Sequence, residues 1–102
     1  SMNIEGIRIL LVDDDERDIE LTLDAFESSK LAIKIDVVRS GADALARLRQ
    51  PESRPHMVLL DIGMPEMDGF DVLDQIKQDE NLRSLPVIML SSQPERHHQV
   101  LS

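Results

Sequence analysis

The chain has 102 residues, 41% hydrophobic and 2% aromatic, with a formal net charge of -9 and no cysteine. This length bounds it to one domain with a modest core, and the missing cysteines exclude disulfides, thiolate metal sites and cysteine catalysis. The acidic balance, with no basic patch and no aromatic platform, argues against nucleic acid and anionic lipid as partners, and no apolar run approaches the ~20 residues of a membrane-spanning helix.

No signal peptide is visible, and a cysteine-free chain fits a reducing, cytoplasmic compartment. Ser1 before Met2 reads as an expression scar. Ile7 to Val12 is a short β-branched and leucine run that ends abruptly in acid. From Glu16 to Glu27, Ile19, Leu23 and Phe26 recur at helical spacing. Lys34 to Val38 alternates polar and apolar, as a half-exposed strand does. Ala42, Leu45 and Leu48 mark a second amphipathic helix opened by Ser40-Gly41, and Pro51 to Pro55 reads as a loop.

Met57 to Leu60 is a second buried-strand run, again ending in acid, at Asp61. A turn-rich loop from Gly63 to Gly69 follows, and Asp68 is placed to cap a third helix that buries Val72, Leu73 and Ile76. Asn81 to Pro86 is a connector, Val87 to Leu90 a fourth strand ending in Ser91-Ser92, and Pro94 to Leu101 the start of a fourth helix. The alternating order predicts an α/β fold, a doubly wound parallel sheet with helices on both faces. Lys34 and Asp36 suit the second strand to an edge, whereas the other three strands, apolar on both faces, suit the interior.

Three carboxylates stand at strand ends: Asp13 and Asp14 after the first, Asp61 after the third. In an open parallel sheet, ligands bind beyond the carboxyl ends of the strands, where the winding reverses. With the second strand at the edge, the first and third are neighbours across that reversal, and the three acids converge. Convergent carboxylates repel one another unless a cation sits among them. An all-oxygen ligand set selects a hard cation, Mg²⁺ or Mn²⁺. An Asp in such a site can act as a nucleophile and form an acyl phosphate.

The residues Ile9-Leu10-Leu11-Val12-Asp13-Asp14-Asp15, Val58-Leu59-Leu60-Asp61-Ile62-Gly63-Met64-Pro65 with Met67-Asp68-Gly69, and Leu85-Pro86-Val87-Ile88-Met89-Leu90-Ser91 resemble the response-regulator receiver family of two-component systems. The resemblance implies a flavodoxin-like sheet in the order 2-1-3-4. It also implies that Asp61 takes a phosphoryl group from a sensor histidine kinase or phosphotransfer protein. Asp14 would bind Mg²⁺ directly and Asp13 through water, the Gly63 backbone carbonyl would complete the protein ligands, and the Ser91 hydroxyl would turn inward to hold the acyl phosphate. Gln93 flanks the acceptor and would help set the lifetime of the phosphorylated form. The long first helix and Leu48-Arg49 resemble the single-domain regulators paired with bacterial phytochromes.

Family domains continue through a fourth helix, a fifth strand and a fifth helix. The fifth strand and last helix have no counterpart in residues 1–102, which read as a single receiver domain incomplete at its C-terminus. No lysine here matches the family's phosphate-pairing lysine. Three expectations follow: retained Mg²⁺ binding, slow or poorly coupled phosphorylation, and a lone monomer that is unstable. The exposed edge of the fourth strand then favours a homo-oligomer, through edge pairing or an exchanged element.

Other readings are weaker. A Mg²⁺ phosphatase with an Asp nucleophile wants a second acid two residues on, where Gly63 stands. An interaction module that keeps the fold without phosphorylation is favoured by the missing lysine and disfavoured by Asp13, Asp14 and Asp61. His97-His98 point in different directions on a helix, so a solvated surface outweighs a metal site there.

Overall fold

The structure, a computed structural model, describes residues 6–90. Within that range the order is β1 (Ile7–Val12), α1 (Glu16–Glu27), β2 (Ile33–Val38), α2 (Gly41–Leu48), a 3₁₀ turn (Pro51–Ser53), β3 (Met57–Asp61), α3 (Gly69–Gln78) and β4 (Val87–Leu90). The four strands form one parallel sheet in the order β2-β1-β3-β4. This is the flavodoxin-like arrangement expected from the sequence, with β1 and β3 adjacent at its centre. Ser91, Gln93, His97-His98 and the expected fourth helix lie outside the described residues.

Alternation along the two central strands builds two cores. Leu10, Val12, Val58 and Leu60 face α2 and α3, meeting Leu45, Leu48, Val72 and Ile76. Ile9, Leu11 and Leu59 face the other way, onto Ile19, Leu23 and Phe26 of α1. A leucine buried to this degree contributes about 1.5–3 kcal/mol, so the centre of the sheet is where stability concentrates.

The helices begin where local chemistry directs. Asp15 accepts from the Arg17 and Asp18 amides to cap α1, Ser40 accepts from Asp43 to cap α2, and Asp68 accepts from Asp71 to cap α3. Each cap satisfies amides that have no partner within the helix.

Two expectations need correction, those for Ala42 and Leu73. Ala42 is exposed, and the buried stripe of α2 is instead Gly41, Ala44, Leu45 and Leu48. These four span one arc of the helix, and Ala42 falls beyond its edge. Leu73 is only partly buried, packing at the margin of the core while Val72 and Ile76 fill it. The connector after α3 carries a core residue, Leu82, which a turn held by Asp79 folds back under the sheet. As the expected order 2-1-3-4 implies, β4 is outermost among the described residues, and Ile88 is 45% exposed.

Candidate functional site

Parallel register brings the acids together. Val12 of β1 stands level with Leu60 of β3, so the next residues, Asp13 and Asp61, stand side by side at the carboxyl end of the sheet. Asp13 is tied to the far strand as well, its amide donating to the Val38 carbonyl at 3.1 Å. The Ile62 amide, just past β3, donates to the Leu90 carbonyl of β4 at 3.1 Å. Both ends of the constellation are thereby fixed by neighbouring strands.

Carboxylate oxygens of Asp13, Asp14 and Asp61 all lie within 4.8 Å of one another. Asp13 is 3% exposed and Asp61 6%, whereas Asp14 is open to solvent. Charged groups are rarely buried this completely without a compensating partner. One Asp13 oxygen, Oδ1, accepts from the Asp15 amide at 3.0 Å, which fixes the side chain and leaves its second oxygen for other work. Burial pushes the Asp13 carboxyl up from 3.8 to about 6; the Asp15 hydrogen bond opposes this, and the charges of Asp61, Asp18 and Asp14 add to it. Desolvation thus outweighs the mutual repulsion of the carboxylates in raising Asp13.

This donor set fits a hard divalent cation. The acids offer three oxygens on one small locus, two of them drawn from water at a cost that a cation offsets. Among the described residues no His joins the cluster, and the chain has no Cys, which disfavours zinc and other softer metals. Gly63 is half-buried on the loop that leaves β3.

A cavity of about 430 Å³ opens beside Asp14, lined mainly by Arg39 to Ala42 and Met64 to Met67. Sequence reasoning did not find it, because its walls, Asp14, the start of α2 and the loop after β3, meet only once the chain is folded. Arg39 is held there by an ion pair to Glu16 of α1, with a second contact from Nη2 to Oε2 at 3.3 Å. That pair also lacked a signal in the sequence, since its members are 23 residues apart.

The family model for the response regulator receiver domain matches residues 9–101. The probable methanogenesis regulatory protein FilR2 of Methanothrix harundinacea (strain 6Ac) is 43% identical over 88 residues, covering 82% of this chain and 57% of that protein. The response regulator Rcp1 of Synechocystis is 35% identical over 89 residues, covering 82% of this chain and 60% of that protein. The chain therefore spans somewhat under two thirds of the length of these curated relatives. Among solved structures, the bacteriophytochrome response regulator AtBRR matches 95% of this chain and 74% of its own, with a TM-score of 0.82 and 41% identity. The Mn²⁺-bound form of Rcp1 matches 92% of this chain and 71% of its own, with a TM-score of 0.80 and 32% identity.

Proposed function

Given that the chain belongs to the response regulator receiver domain family, we propose that it accepts a phosphoryl group on Asp61 from a phosphohistidine of a sensor histidine kinase or phosphotransfer protein. The observation that carries this reading is the buried Asp13–Asp61 pair with Asp14 beside it. Receiver domains are signalling modules, so the modification of Asp61 is the event and no turnover of a free substrate is implied.

In the proposed transfer, an Asp61 carboxylate oxygen attacks phosphorus as the phosphorus–nitrogen bond of the donor breaks. The imidazole leaves with the bonding electron pair and takes up a proton. Asp61 is supplied already desolvated and held by β3, so little reorganisation precedes attack. Asp13 and Asp14 would hold Mg²⁺ or Mn²⁺ together with Asp61 and the Gly63 carbonyl. When bound, that ion supplies positive charge against the oxygens of the transferring group. The Mn²⁺-bound relative supports this choice of cation. Ser91 and Gln93 remain proposed as the switch hydroxyl and the flanking group, in a cytoplasmic setting.

Incubation with a small-molecule phosphodonor and Mg²⁺ should add one phosphoryl group, seen by intact mass, and Asp61→Asn should abolish it. Equal labelling of the Asp61→Asn protein would overturn the assignment. The outermost place of β4 and the exposure of Ile88 support a second proposal: this edge takes a further strand from a second copy, by pairing or exchange. Sedimentation at tens of micromolar, a concentration at which contacts worth about 8 kcal/mol persist, should show a dimer. A sharp monomer boundary there sinks that part alone.

A further inference from the structure

Gly69 opens α3 directly against the backbone of the acceptor residue. A Cβ placed at Gly69 would collide with the Asp61 carbonyl oxygen and come within 2.8 Å of the Ile62 Cα and 3.0 Å of the Asp61 carbonyl carbon. Every one of these atoms is main chain, so no side-chain rotation relieves the contact. The Gly69 amide also donates to the Ile62 carbonyl at 3.4 Å. On the other side, the Ile62 amide is anchored to β4, so Asp61 is held between a strand and a helix start. Gly69 itself is buried, and its φ is not positive. Its requirement is therefore space, not an unusual backbone conformation.

We propose that Gly69 is a positioning residue for the acceptor: the bare first turn of α3 rests on the Asp61 peptide and sets where its carboxylate stands relative to Asp13 and Asp14. This rests on the reading of Asp61 as phosphoacceptor. A displacement near 1 Å at a reacting group can cost on the order of 100-fold in rate, and added methylenes in tight packing are absorbed by backbone shifts.

Gly6 supplies the control. It stands just before β1 with φ +84°, and a Cβ there would collide with the Ala32 carbonyl oxygen, a main-chain contact like that at Gly69 but at the amino end of the sheet. Gly69→Ala and Gly6→Ala should both lower the melting temperature. Only Gly69→Ala should slow phosphodonor labelling at least tenfold, raise the Mg²⁺ Kd at least threefold and shift the Ile62 amide resonance of the metal-free protein. Labelling and Mg²⁺ affinity within twofold of the parent for Gly69→Ala would overturn the proposal. So would an equal loss in Gly6→Ala.

If Gly69→Ala does not fold, Asp68 decides. Asp68→Ala removes the α3 cap and frees the first turn, while Asp68→Asn removes the same charge and keeps the cap. A weaker Mg²⁺ affinity for the alanine than for the asparagine supports the proposal, and equal affinities overturn it. If the parent itself is not labelled by a phosphodonor, the acceptor reading falls. The Mg²⁺ and resonance comparisons then judge Gly69 separately.

Discussion

The two ends of the same central strands are built on opposite terms. At their amino ends, Arg8 and His56 are exposed, and the polar groups there are paired. The Arg8 amide donates to His56 Nδ1 at 2.9 Å, the His56 amide to the Arg8 carbonyl at 2.7 Å, and Arg8 Nη2 to the Arg54 carbonyl at 3.0 Å. Arg54 Nε in turn donates to the Leu48 carbonyl near the end of α2 at 3.0 Å. Charge stays in water, and each contact adds a little stability. At their carboxyl ends Asp13 and Asp61 are buried while Asp14 meets solvent, and burial raises the Asp13 carboxyl. That end destabilises the metal-free fold and gains from a cation. One end of the sheet holds the fold together, and the other stores an electrostatic deficit that a ligand relieves.

The largest expected effect follows from that deficit. Saturating Mg²⁺ at pH 7.5 should stabilise the protein, by about 2.7 kcal/mol when the free ion is 100 times its Kd. Asp13→Asn should remove most of this gain. Thermal melts with and without Mg²⁺ measure both, and a melting temperature indifferent to Mg²⁺ in the parent would erase the contrast between the ends.

Next comes pH. The folded pKa of Asp13, about 6, lies above its ordinary 3.8. The group therefore favours the metal-free fold fully below 3.8, and that contribution is lost as pH rises through about 6. Without metal, Asp13→Asn should be more stable than the parent at pH 7.5, and the gap should close toward pH 4. With saturating Mg²⁺ the order at pH 7.5 should reverse. Because protons compete for Asp13, Mg²⁺ affinity should fall up to tenfold per unit below about pH 6, measurable by isothermal titration. A flat affinity between pH 7 and 5 would contradict the buried-acid account.

The smallest effect belongs to the other end. His56→Ala should cost about 1 kcal/mol, since it removes a hydrogen bond at an exposed position, and should leave Mg²⁺ affinity unchanged. Denaturant melts and titration together check this. A coupled loss of metal binding would mean that the two ends are not independent.

The element order was legible because the chain switches cleanly between buried runs and helical spacing, and because each helix starts at an acid or hydroxyl able to cap it. Asp13, Asp14 and Asp61 were legible for a related reason: the Asp13-Asp14 pair and Asp61 each follow an apolar run directly, so their place at a strand end needed no tertiary information. Leu82 was hidden by its surroundings, a short connector with polar residues on either side of it and no helical or strand period. Ala42 misled because a short helix offers too few residues to separate the edge of a stripe from its centre.

What the sequence determined by itself was local: where strands end, what caps follow and which side chains can bind a hard cation. Only the tertiary structure decided how deeply Asp13 sinks, that desolvation outweighs repulsion in setting its proton affinity, and that Gly69 rests on the backbone of Asp61. Those facts depend on distances between segments remote in the chain. No pattern of neighbours along the sequence encodes them, because burial and contact arise only once the strands are laid side by side.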